Sequence, residues 1–163
     1  MKKSKEIISD KVSVVNQILP HVNKWAWDLF IDGAANNWMP TEISMAKDIE
    51  QWKSSLLSED EKLVVKRCLG FFAGSESLVA NNLLLSVFKF VTDPECRQYI
   101  LRQAYEESLH NLTVVYICDS LSLDINEVYE AYSSIPSIKA KDDFLMNITT
   151  DINRADFNIN TIE

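Results

Sequence analysis

Residues 100–121, ILRQAYEESLHNLTVVYICDSL, decide the fold. Ile100, Gln103, Glu107, His110, Val114, Ile117 and Leu121 step by three and four, so they share one side of a helix. That side is apolar except at its centre, where Glu107 and His110 stand at i and i+3 and point the same way. The helix has a clear start upstream. Asp93-Pro94-Glu95 places an N-cap acid before a proline at the first helical position.

A second stripe lies earlier in the chain. Leu69, Phe72, Glu76, Val79 and Leu83 again step by three and four, with Glu76 in the middle. A lone ionised carboxylate on a core-facing stripe costs several kcal/mol. Two such helices facing each other would bring two carboxylates and one imidazole into a shared interior. A divalent metal pair would neutralise them: carboxylates bridge hard cations, and neutral imidazole is a good ligand for iron or manganese. Glu76 and Glu107-x-x-His110 form half of the donor set of a di-metal carboxylate bundle. Each signal taken singly has a plainer explanation, as a partly exposed pair or a carboxylate matched by Lys or Arg. The conjunction of the two stripes carries the metal reading.

The rest of the chain is consistent with long helices. Ser58-Glu59-Asp60-Glu61 is a capping box with acids in the first turn, and the pattern after it runs to about Phe90. Gly70 and Gly74 interrupt that pattern and suggest the close approach of a neighbour. Asp124-x-x-Glu127 starts a shorter helix and Pro136 a further one over 138–148. A short helix with Thr41 as N-cap is expected to carry Met45, Ile49 and Trp52. Residues 1–20 are expected to be a flexible arm. Residues 21–163 are expected to form the N-terminal portion of a helical dimetal-carboxylate domain.

Composition narrows the class. The 163 residues are 47% apolar and 25% charged, with only 3 Gly and 4 Pro, too few turn-formers for an all-β chain. The net charge of −8 speaks against nucleic acid as a partner. No uncharged apolar run approaches the ~20 residues of a membrane span. Cys68, Cys96 and Cys118 are widely spaced and odd in number, which disfavours disulfides or zinc and points to a cytoplasmic setting with three small buried hydrophobes. Glu106, about 100° round the helix from Glu107, reads as a solvated or supporting acid. Trp25 and Trp27 read as core or interface anchors, and His21 receives no role.

Several segments together resemble the ribonucleotide reductase small (beta) subunit. They are Asn36-Asn37-Trp38-Met39-Pro40-Thr41-Glu42-Ile43 with Lys47-Asp48-Ile49, residues 69–78 (LGFFAGSESL), residues 102–110 (RQAYEESLH) and residues 138–144 (IKAKDDF). The resemblance covers roughly residues 20–150. It implies an all-α, ferritin-like helical bundle, here the N-terminal helices only, and a dinuclear metal centre activated by oxygen. It also implies a large-subunit partner that uses the stored oxidising equivalent to reduce ribonucleotides to deoxyribonucleotides. By position, Glu76, Glu107 and His110 match metal ligands, and Trp38 matches a residue of radical transfer.

Two departures qualify the resemblance. The family's radical-bearing tyrosine, one turn beyond the histidine, is Val114 here, and neither Tyr116 nor Tyr105 is spaced to replace it. That, and a glutamate as first ligand at Glu76, resembles the Tyr-less subgroup with a Mn/Fe centre in place of Fe/Fe. The family's later ligands, a Glu and a second Glu-x-x-His, have no match, and no histidine follows His110. The expectation is therefore the N-terminal half of a small subunit, inactive alone. It would be completed by a separate chain if the gene is split, and would be a homodimer when complete. A Mn/Fe ligand-binding oxidase and an inactive truncated remnant are the competing readings.

Overall fold

The computed structural model describes residues 6–8 and 14–159. Six α-helices are present among them: α1 (Lys24–Ala35), α2 (Ala46–Lys53), α3 (Glu59–Asn81), α4 (Pro94–Leu121), α5 (Ile125–Ser134) and α6 (Pro136–Thr150). Their only extended pairing among the described residues is a single antiparallel bridge, Ile8 to Val91. The chain divides into two compact units, Met1–Asn37 with Val79–Glu106 and Ile148–Glu163, and Trp38–Leu78 with Glu107–Asn147.

In the first unit, Ala26, Val91, Cys96 and Ile100 form the core, with Ile7, Leu83 and Phe88 packed against it. The expected α4 cap is in place: Asp93 Oδ1 accepts the Glu95 and Cys96 amides at 3.0 and 2.8 Å. Glu95 is fully buried, and its carboxylate accepts the Val22 and Asn23 amides at 2.9 and 2.7 Å. His21 Nδ1 lies 2.7 Å from the same carboxylate, so this histidine has a structural partner that spacing did not suggest. Trp27 sits between the rings of His21 and Phe30, whereas Trp25 is exposed. Glu106 is paired with the buried Arg102 one turn back, so it is not a freely solvated acid. Of the arm expected over 1–20, residues 1–5 and 9–13 lie outside the described residues. Ile7 packs on this core, and its carbonyl accepts the Thr92 amide at 2.8 Å.

The helical pattern expected to reach Phe90 changes winding and stops at Val87, and residues 88–90 form a turn. α3 ends at Asn81 and continues as a π-helical segment over Asn82–Val87. Ser86, 2% exposed, is held there by Asn153 Nδ2 at 2.7 Å. The span Glu59–Val87 is long and apolar enough, by length and composition alone, to cross a membrane. Glu76 interrupts its apolar part, so the span is not the uncharged run whose absence was expected. Its carboxylate and close-packed glycines have partners inside the protein, described below.

In the second unit, Leu69, Ala73, Val114, Cys118 and Val128 form the core. The Ser58 capping box is reciprocal: Glu61 Oε2 accepts the Ser58 amide at 2.8 Å and Ser58 Oγ accepts the Glu61 amide at 3.3 Å. Asp124 caps α5 through the Asn126 amide at 2.9 Å. Gly70 is where α3 meets α5, since a Cβ there would lie 2.4 Å from Ala131 Cβ. Thr41 is not a helix N-cap. It lies in a 3-10 turn, Pro40–Glu42, and α2 begins five residues later at Ala46. Cys96 and Cys118 are buried as expected, but Cys68 is exposed.

Candidate metal centre

α4 buries Ile100, Glu107, Val114 and Leu121 of its expected stripe, while Gln103, His110 and Ile117 are half-buried. On α3 the stripe is buried at Leu69 but open at Phe72, which is 46% exposed. Phe72 borders an open cleft of about 240 Å³ also lined by Trp38, Leu69, Glu76, His110 and Val114. The polar residues of both stripes meet there. His110 Nδ1 lies 3.1 Å from Glu76 Oε2 and 3.0 Å from Glu107 Oε2. One ligand atom from each of the three residues lies within 4.8 Å of the others, the spacing of donors around a common ion.

Neighbouring residues fix this approach. Ser77 Oγ donates across the helix pair to Asn111 Oδ1 at 3.4 Å, and Asn111 Nδ2 donates to the Glu107 carbonyl at 3.2 Å. These two residues each follow a ligand directly in sequence. Their adjacency to Glu76 and His110 was the available signal, and periodicity alone did not single them out. Trp38 reaches the same group from the segment before α2. Its ring centroid is 6.0 Å from that of His110, at 30°. Val114 is 4% exposed and contributes only aliphatic surface to the cleft.

Two of the three ionisable groups, Glu107 and His110, are shifted by their surroundings. Burial, followed by the hydrogen bond and charge of Glu76, pushes Glu107 above the usual carboxylate range, against the pull of His110. Burial lowers His110, but its hydrogen bonds to Glu76 and Glu107 outweigh this and leave its pKa raised. An imidazolium shared between two carboxylates is the ion-free arrangement of such a cluster. A divalent cation does the same electrostatic work once the protons leave. Two carboxylate oxygens and one imidazole nitrogen suit a first-row divalent metal such as manganese or iron. The residues present therefore fit a metal, and all three predicted ligands and Trp38 lie together.

Asp142 was missed by the sequence reading. It is 3% exposed, and neither carboxylate oxygen has a hydrogen-bond partner among the described residues. It stands one turn beyond buried Ile138 on α6, against Gly74 of α3. A polar residue four places after a core isoleucine was the sign.

Comparison with known proteins gives a consistent result. The family profile described as ribonucleotide reductase, small chain, matches residues 15–162. The ribonucleoside-diphosphate reductase subunit beta of Chlamydia pneumoniae is 54% identical over 149 residues, 91% of this chain and 43% of that protein. The small chain from Neurospora crassa is 29% identical over 128 residues, 77% of this chain and 31% of that one. Among solved structures, the ribonucleotide reductase R2 subunit from Clostridium botulinum superposes with a TM-score of 0.80 at 21% identity, covering 90% of this chain and 46% of that chain. The chain thus spans less than half the length of these relatives. The superposition agrees with the expected all-α, ferritin-like fold.

Proposed function

Because the chain belongs to the ribonucleotide reductase small-chain family, we propose that it supplies one side of a dinuclear metal centre in a ribonucleoside-diphosphate reductase. The observation that carries this reading is the convergence of Glu76, Glu107 and His110 from two helices onto one point. When bound, the metal pair would supply an oxygen-derived oxidising equivalent for a large subunit that reduces ribonucleotides.

The roles of the chain's own residues follow from their chemistry. Glu76 and Glu107 each offer carboxylate oxygens, and His110 offers a neutral nitrogen once its proton leaves. Trp38, beside His110, relays an electron and a proton outward. An indole suits this because its ring is oxidised transiently when water is kept away. Val114 offers no phenol to oxidise, so a bound metal pair would itself have to hold the oxidising equivalent, and Mn/Fe is the assignment we favour. Three donors serve half of a six-donor site, and the remaining donors come from further polypeptide, on the same chain or another. The proximity of Trp38 to His110 favours this reading over a ligand-binding oxidase, which has no use for a relay to a partner.

The test is reconstitution. The chain, with the polypeptide that completes its donor set, is loaded with manganese, iron and oxygen and assayed with the large subunit. Nucleoside diphosphate reduction without a tyrosyl radical EPR signal is expected. Glu76→Ala and Trp38→Phe should each abolish turnover, the second without loss of metal. A stable tyrosyl signal would refute the Mn/Fe assignment, and full activity in Glu76→Ala would refute the site.

A further inference from the structure

Trp38 opens onto a turn that is rigid in its own right. The Met39 amide donates to Glu42 Oε1 at 3.0 Å, the Glu42 amide to the Met39 carbonyl at 3.0 Å, and the Ile43 amide to the Pro40 carbonyl at 3.1 Å. Pro40 is buried beneath it. The chain before Trp38, Asn36-Asn37, is exposed. Burial of Ile43 does not anchor the far end either, because that side chain is 68% exposed. Yet the far end is tied. The Tyr116 hydroxyl donates to the Ile43 carbonyl at 2.8 Å.

Tyr116 lies on α4, six residues beyond His110. That separation is about 9 Å along the helix and about 240° around it. The turn is therefore attached to α4 at two well-separated points, indole against imidazole at one end and phenol to carbonyl at the other. A rigid piece held at one point can swing about it, and one held at two points far apart cannot.

We infer that Tyr116 is a positioning residue for Trp38, its hydroxyl fixing the Pro40–Glu42 turn to α4 so that the indole stays registered against His110. This rests on the reading of Trp38 as a relay. It gives Tyr116 a purpose that does not require the phenol itself to be oxidised. Electron transfer between neighbouring rings depends on their separation and orientation, so a brace of this kind would keep the relay in its working geometry.

The test uses the full chain and Tyr116→Phe, which removes one hydroxyl. The emission of Trp38 is isolated by subtracting the spectrum of the matching Trp38→Phe protein. Co(II) is added as the probe, and its quenching of that emission reports the distance between ring and site. Amide hydrogen exchange over residues 38–45 is followed alongside. Tyr116→Phe is expected to keep its helix content and its Co(II) affinity. It should lose at least half of the Trp38 quenching and exchange residues 38–45 several-fold faster. Leu112→Ala, an exposed change on the same helix, should do neither. Unchanged quenching and exchange in Tyr116→Phe would overturn the proposal. So would their loss together with a chain-wide loss of helix, which would make Tyr116 a general stabiliser. Failure of Co(II) to bind the parent chain would fell the metal reading instead, and the exchange data would still judge the brace.

Discussion

Replacing Gly70 with alanine should weaken the seam between α3 and α5. The added Cβ would lie 2.4 Å from Ala131 Cβ and 3.0 Å from the Val128 carbonyl oxygen. Carbon atoms rest at about 3.5–4.0 Å, so the helices must part by roughly 1–1.5 Å. Neither obstacle can rotate away, because one is a methyl fixed to the backbone and the other is backbone itself. Overpacking of this kind costs about 1–3 kcal/mol, and exchanging glycine for alanine inside a helix returns about 1. A net loss of up to about 2 kcal/mol lowers the melting temperature of a chain this size by up to about 8 °C. Gly33→Ala is the internal control. Its Cβ would meet Arg102 Cγ at 3.1 Å, part of a side chain that can yield, so no loss is expected there. Thermal and urea unfolding of the two variants would decide. Gly70→Ala as stable as Gly33→Ala would refute the argument. Because Glu76 lies six residues further along α3, Co(II) affinity should fall in Gly70→Ala as well.

The other predictions concern charge and capping. Burial, then the charge of Asp143, raises the Asp142 pKa above its ordinary 3.8. A raised folded-state value favours the protonated fold, so the stability this group contributes is complete below pH 3.8 and lost as pH rises through the folded pKa. Asp142→Asn should flatten that decline and gain on the order of 1 kcal/mol at pH 7, read by urea unfolding at several pH values; a variant less stable than the parent at pH 7 would count against it. The raised His110 and Glu107 values act in the same sense on the ion-free protein, whose stability should fall as pH rises through neutrality. Mn(II) binding should release protons and weaken as pH falls, seen as a buffer-dependent heat in titration calorimetry; a heat independent of buffer would exclude linked deprotonation. Ser58→Ala removes the acceptor for the Glu61 amide and should cost about 1 kcal/mol in unfolding experiments.

Much of the centre was legible because a helix makes its own geometry. Once Glu107 and His110 fall at i and i+3 on an apolar stripe, their common direction is fixed without knowledge of anything else. Glu76 could be paired with them only by supposing that two stripes face each other, and the approach to His110 Nδ1 bears that supposition out. The Asp93, Ser58 and Asp124 caps were readable for the same local reason. What was not legible depends on contacts distant in sequence. The Tyr116 tie to Ile43 spans 73 residues and involves a backbone carbonyl, which has no letter in the sequence. The winding change at Asn82 has no proline or glycine to announce it, and its anchor, Asn153, lies 67 residues from Ser86. Thr41 failed as a cap because Pro40 closes a short 3-10 turn first. Cys68 was misjudged because a small apolar side chain leaves no mark of which helix face it takes.

The buried Glu95 carboxylate has a bearing on how this polypeptide assembles. It organises the residues leading into α1 from 72 to 74 positions downstream. Loop closure over such a distance is slow relative to helix growth, so α1 cannot settle when it is first made. During synthesis it must wait several seconds, at about 5–20 residues per second, until the start of α4 leaves the ribosome. Trp25 and Leu29, exposed even once these helices have folded, are on offer to chaperones throughout that interval.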